Sequence, residues 1–148
     1  MECKNNVEKQ VELLLVEDDD VDAIAVKRAF KKQKLQNPIV RAKDGLDALC
    51  YLRDKVISNT MIILLDLQMP RMNGIEFLNK IRQDKNLKEA IVFILTTSNA
   101  QEDISEAYQA NVAGYITKNN VGENFEKLTR MLDGYWQVVH LPHMANER

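Results

Sequence analysis

The chain has 148 residues, 45% of them hydrophobic and 28% charged, the size and mixture of one globular domain. At this length roughly 70% of the unfolded surface can be buried, so folding needs neither a disulfide nor a structural metal. Cys3 and Cys50, 47 residues apart and without a CxxC spacing, suggest neither. Twenty basic against 22 acidic side chains leave a net charge of −2, without the basic excess of a nucleic-acid module. The apolar runs span only a few residues, far short of the about 20 that cross a membrane. The opening MECKNNVEKQ lacks the apolar core of a signal peptide. A cytoplasmic protein, with neither nucleic acid nor membrane as partner, is the expectation.

Residues 1–10 read as an N-terminal arm. The first apolar run, 11–16, reads as a strand. A helix follows with Val26, Ala29 and Phe30 on one face. Asp20 reads as its N-cap, Asp19 as a solvated loop charge, and Lys31-Lys32-Gln33-Lys34 as its solvated end, where lysines suit the helix dipole. Asn37-Pro38 marks a turn into a second strand at 39–40. Asp44 then caps a helix whose Leu46, Leu49 and Cys50 share a face. The third strand, 61–65, is apolar throughout. Asn73 caps a helix opened by Gly74 and striped by Phe77, Leu78 and Ile81. The fourth strand, 91–95, is followed by a helix with Ile104, Ala107 and Tyr108 on one side, and the fifth strand is 115–116. The longer strands show no strict alternation, as required of strands buried on both faces. Five β-α units predict a parallel sheet covered by helices on both sides.

The last helix is unusually apolar. Phe125, Leu128, Leu132, Tyr135, Trp136 and Val139 form one stripe, and Met131 and Val138 widen it to an arc of roughly 160°. Two readings stay open: a well-buried terminal helix, or an excess that packs against another subunit together with an exposed tail at Leu141-Pro142.

In open α/β sheets, ligands bind beyond the carboxyl ends of the strands. Here those ends carry Glu17-Asp18-Asp19-Asp20, Asp66, Thr96-Thr97-Ser98 and Thr117-Lys118. Glu17, Asp18 and Asp66 would meet if the first and third strands are neighbours, and like charges so close call for a cation. Oxygen ligands with water positions left open suit Mg²⁺. A divalent ion beside a strand-end carboxylate is what phosphoryl transfer to that carboxylate requires. Asp66 is the candidate nucleophile, with Asp18 committed to the metal and Glu17 acting through its water. Thr96 and Lys118 supply donors for phosphoryl oxygens.

These motifs, LLLVEDD, ILLDLQMPRMNG, ILTTS and GYITK, resemble the receiver domain of two-component response regulators from about Val11 to Lys127. The resemblance implies a flavodoxin-like (βα)5 fold, an α/β doubly wound parallel sheet with strand order 2-1-3-4-5, over residues 11–140. It implies that Asp66 accepts a phosphoryl group from a sensor histidine kinase, with Mg²⁺ (or Mn²⁺) held by Glu17, Asp18, Asp66 and the backbone carbonyl of Gln68. Thr96 would be the switch hydroxyl, with Thr97 beside it. Lys118 would pair with the phosphate and Tyr115 would be the switch aromatic. The protein would then be a phosphoacceptor rather than a conventional enzyme, with only slow self-catalysed phosphorylation and dephosphorylation. Phosphorylation adds about two negative charges and three acceptor oxygens, so Thr96 is expected to move inward and Tyr115 to rotate from exposed to buried.

Lys118 is followed by Asn119 where most of the family has proline, commonly after a cis bond. The turn is then either trans or strained, since a non-proline cis bond costs roughly 3 kcal/mol. The resemblance implies that Gln68 and Ser98 flank the pocket, at positions that vary in the family and influence phosphoryl lifetime. The tail GYWQVVHLP is similar to small single-domain response regulators that partner phytochromes, in which the C-terminal segment contributes to a homodimer. That points to a phytochrome kinase and to Phe125, Met131, Tyr135, Trp136 and Val138 as dimer contacts, with 141–148 joining them. With no further domain expected after Arg148, output would come from the receiver surface, through a downstream protein or by relay to a histidine phosphotransfer protein.

Three rivals fare worse. A haloacid-dehalogenase-type phosphohydrolase needs an aspartate two residues after its nucleophile, where this chain has Gln68. A flavodoxin needs a phosphate-cradling loop after the first strand, where this chain has four acids. A receiver-like module that works without phosphorylation would lack part of the acid set. His140 and His143 read as tail residues rather than a metal site.

Overall fold

The computed structural model describes residues 11–54, 60–121 and 124–142. In chain order they form β1 (Glu12–Val16), α1 (Asp20–Lys32), β2 (Ile39–Ala42), α2 (Gly45–Asp54), β3 (Met61–Leu65), α3 (Gly74–Gln83), β4 (Ile91–Thr96), α4 (Gln101–Gln109), β5 (Gly114–Thr117), a 3-10 turn at Lys118–Asn120 and α5 (Glu126–Val138). The strands are parallel, in the order β2-β1-β3-β4-β5. The predicted flavodoxin-like architecture is what forms.

Alternate residues of each strand feed two cores, which is why the central runs are apolar at nearly every position, Glu12 and Thr96 at their ends excepted. Leu14, Val16, Ile63 and Leu65 face α2, α3 and α4, where Leu52, Phe77, Leu78, Ile81 and Ala107 pack on them. Leu13, Leu15, Ile62 and Leu64 face α1 and α5, meeting Val26, Phe30, Leu128 and Leu132. The edge strands β2 and β5 are only half-buried at most positions.

Several local expectations change. In α2 the buried face is Gly45, Ala48, Leu49 and Leu52, while Leu46 and Cys50 face outward. This helix is apolar on more than one side, so its spacing allows two stripes, and packing selects the one holding Leu52. Ala107 is the buried residue of α4, and Tyr108 is exposed. Asp19, not Asp20, caps α1, accepting from the N–H groups of Val21 at 2.8 Å and Asp22 at 3.3 Å. Asp20 instead pairs with Arg41 at 2.6 Å. Asn73 caps α3 as expected, in a reciprocal capping box with Glu76.

The apolar arc of α5 divides. Phe125 is buried just ahead of the helix, in the left-handed region with φ 54°. Tyr135 meets Phe93 edge-on at 5.1 Å between centroids, and Trp136 lies 6.2 Å from Phe30, so both rings are core packing. Met131 and Val138 remain outside, 36% and 80% exposed, with Val139 beside them. Leu141, expected in an exposed tail, packs against the α1/α5 core. The arm 1–10, most of the tail, and with them Cys3 and His143, lie outside the described residues. No described helix is long and apolar enough to cross a membrane.

Candidate functional site

A parallel sheet presents all its strand carboxyl ends on one edge, and there the chemistry-bearing residues gather. Glu17 directly follows β1 and Asp66 directly follows β3, and Val16 and Leu65 are register partners. The Asp66 N–H donates to the Val16 carbonyl at 3.0 Å, so the two carboxylates enter the notch side by side. Thr96 ends β4 and pairs with Thr117 of β5, which places Lys118 at the same rim. Glu17, Asp66 and Thr96 are buried. Asp18 is exposed at the mouth.

One carboxylate oxygen each from Glu17, Asp18 and Asp66 lies within 4.8 Å of the others. Oxygens around Mg²⁺ at its bond length of about 2.1 Å stand roughly 3–4 Å apart, so the spacing suits one cation among the three, with room for a water between it and Glu17. The donor set is all oxygen and open on one side, which fits a hard divalent cation that keeps several waters. Of the residues predicted for the metal, Gln68 sits two positions past Asp66. Its N–H donates to Asp66 Oδ1 at 3.3 Å, and its side-chain oxygen accepts from the Thr97 hydroxyl at 3.4 Å.

Charge in the notch is arranged around one ammonium. Lys118 Nζ stands 2.9 Å from Glu17 Oε1, 2.7 Å from Asp22 Oδ2 and 3.5 Å from Asp66 Oδ2. Burial by itself would favour the neutral amine, but the hydrogen bonds to Asp22 and Glu17 and the charge of Asp66 outweigh it and raise its pKa. Glu17 moves the opposite way from an ordinary paired acid. Burial, joined by the charge of Asp66, pushes it up to about 7 against the pull of Lys118. The peptide bond between Lys118 and Asn119 is trans, as are all others described.

The Thr96 hydroxyl donates to Asp66 Oδ1 at 2.8 Å. The Tyr115 hydroxyl donates to the Ser98 carbonyl at 2.9 Å, and its ring packs against the core beneath α4. Burial and the nearby charges of Asp103 and Asp66 raise the Tyr115 pKa, against the hydrogen bond to Ser98. Thr96 thus already touches the acceptor carboxylate, while Tyr115 stays half-buried at the edge strand. Ser98 is itself tied to α4, its hydroxyl donating to Asp103 at 2.5 Å.

Three supporting residues were missed. Arg41 donates to the Glu17 carbonyl at 2.9 Å and to Asp20, with its Nη2 buried and without a hydrogen-bond partner. Arg71, at φ 60°, donates to Asp44 at 2.5 Å and Asp47 at 3.0 Å, pinning the loop after the acceptor to α2. Asp22 reaches Lys118. The last carried a visible signal: it sits in the first turn of the helix that directly follows the Glu17–Asp18 acids. The Asp44–Arg71 pair carried none, being 27 residues apart.

The comparisons agree with this geometry. The pattern of the response regulator receiver domain matches residues 13–132. Response regulator Rcp1 of Synechocystis sp. is 32% identical over 135 residues, covering 88% of this chain and 92% of that protein. Among solved structures, the Mn²⁺-bound form of Rcp1 superposes with a TM-score of 0.76 at 31% identity, over 89% of this chain and 99% of that one. A phosphorylated cyanobacterial phytochrome response regulator, RcpA, superposes at 0.80 with 31% identity, over 90% and 99%. With its sheet order, its acidic notch and a match of this extent, the chain belongs to the response regulator receiver-domain family, the signalling phosphoacceptors of two-component systems.

Proposed function

We propose that Asp66 accepts a phosphoryl group from the phosphohistidine of a sensor kinase. A carboxylate oxygen of Asp66 forms the new bond to phosphorus while the P–N bond breaks, and the imidazole leaves with the electron pair. Glu17, Asp18, Asp66 and the Gln68 carbonyl are the residues that would hold Mg²⁺. When bound, Mg²⁺ neutralises the donor's oxygens and aligns them. Thr96 and Lys118 then offer an O–H and an N–H to the new phosphoryl oxygens, and Tyr115 reads the change at the α4–β5 surface. The observation that carries this reading is the convergence of three carboxylates with Lys118 and Thr96 at one sheet edge.

The kinase is of the phytochrome class in this proposal, supported by the similarity to RcpA. The outer edge of α5, with Met131 and Val138 exposed, is the homodimer contact. Residues 11–140 act as the receiver unit, in the cytoplasm.

Treatment with acetyl phosphate and Mg²⁺ should add one phosphoryl group, located on the Asp66 peptide by mass spectrometry. Asp66→Asn should take none while retaining a weaker Mg²⁺ affinity. Label kept on that variant would overturn the choice of acceptor.

A further inference from the structure

We infer that Asp22 is a positioning residue that holds the Lys118 ammonium on the α1 side of the notch, keeping the Glu17–Asp18–Asp66 oxygens open to a divalent cation. The inference rests on that trio being the cation site. An ammonium has three N–H groups. Two are engaged at hydrogen-bond distance, by Asp22 at 2.7 Å and Glu17 at 2.9 Å, and the approach to Asp66 is longer, 3.5 Å. The shortest contact is thus to the one carboxylate of the three that lies outside the trio.

Asp22 is mounted to do this. It sits in the first turn of α1, and the Asp19 cap accepts from its own N–H and from that of Val21. Its carboxylate therefore projects from a fixed turn rather than a loose loop. Lys118 begins the 3-10 turn after β5, 96 residues away, so the pair bridges two elements across the notch. Lys118 is largely buried, and Asp22 is half-exposed at the rim. Without Asp22, the remaining acceptors for the ammonium are Glu17 and Asp66, both of whose oxygens the cation needs. A lysine relaxed onto them competes with the cation directly. Asp22 therefore lowers that competition while leaving Lys118 within reach of a phosphoryl group on Asp66.

Removing Asp22 also removes a negative charge, and a double-mutant cycle separates that effect from one routed through Lys118. Mn²⁺ binding to the full chain is measured by the electron paramagnetic resonance signal of free Mn²⁺. The proteins are wild type, Asp22→Asn, Asp22→Glu, Lys118→Met and the Asp22→Asn/Lys118→Met double variant. Asp22→Asn should weaken Mn²⁺ binding about fivefold or more in the presence of Lys118, and less than about twofold in the Lys118→Met background. Asp22→Glu should recover most of the affinity. Equal losses in both backgrounds would show Asp22 acting only as a charge and overturn the inference, as would an Asp22→Asn variant that binds Mn²⁺ like wild type. Wild-type protein that binds no Mn²⁺ overturns the cation site itself and this inference with it.

Discussion

Replacing Gly74 with alanine tests how rigidly the acceptor is held. A Cβ at this position would lie 2.4 Å from the Asp66 carbonyl oxygen and 2.7 Å from the Leu67 Cα. Comfortable contacts begin near about 3.5 Å, so one backbone or the other must retreat by about 1 Å. Both atoms belong to the loop that carries the acceptor, and the Gly74 N–H is bonded to the Leu67 carbonyl at 3.0 Å. Overpacking of this kind costs about 1–3 kcal/mol, while the helix propensity of alanine returns at most about 1 kcal/mol. A net loss of about 1 kcal/mol lowers Tm by roughly 2–4 °C in a domain of this size. The functional loss should be larger, because a reacting group misplaced by about 1 Å can lose about 100-fold in rate. Calorimetry gives the first number, and the time course of acetyl phosphate labelling gives the second. Gly134→Ala is the matched control: its Cβ meets no described atom within 4 Å, so in monomeric protein it should raise stability by about 0.5–1 kcal/mol. A Gly74→Ala protein that melts and labels like wild type would refute the close-approach argument.

The raised Glu17 pKa makes cation binding a proton-displacing event. The Mg²⁺ Kd should be flat above about pH 7 and rise about tenfold per pH unit below it; a titration unchanged between pH 8 and 6 would count against the burial of that carboxyl. The folded protein holds this proton more tightly than the unfolded chain. In metal-free protein the Glu17 contribution to stability is therefore full below about 4.5 and lost as pH rises through about 7. Met131→Asp with Val138→Asp should keep the protein monomeric in sedimentation, charged or uncharged at Asp66. Its Tm should stay within a few degrees of wild type, since neither side chain is buried; persisting dimers would place the contact elsewhere. Arg82 donates to the carbonyls of Lys88, Ala90, Ala110 and Asn111 at 2.7–3.0 Å. Arg82→Met should cost at least about 2 kcal/mol in urea unfolding, and an unchanged midpoint would mean water replaces the guanidinium.

Much of the architecture is written in local pattern. Strands covered on both faces must be largely apolar, and 13–16, 61–65 and 91–95 announce themselves that way. The acceptor notch is legible for a related reason: in a parallel sheet the carboxyl ends of all strands reach the same edge, so Glu17, Asp66, Thr96 and Lys118 are brought together by topology alone. The cap at Asn73 is legible from its place before Gly74, and the fold adds the reciprocal bond from Glu76.

What stayed hidden depends on partners distant in the chain. The spacing of α2 allows two faces, and only the packing of Leu52 against the sheet excludes Leu46 and Cys50. The acids after β1 carry no mark of which one caps the helix and which one pairs with a distant cation. Their separate jobs emerge when Arg41 takes Asp20, backbone N–H groups take Asp19, and Lys118 divides itself between Glu17 and Asp22. Periodicity records which side chains must leave water, and motif spacing records which chemistry meets at the rim. The pairing of charges across 21 to 101 residues is set by how the elements dock, because an ion pair has no period along the chain and exists only where the folded backbone brings both ends within reach.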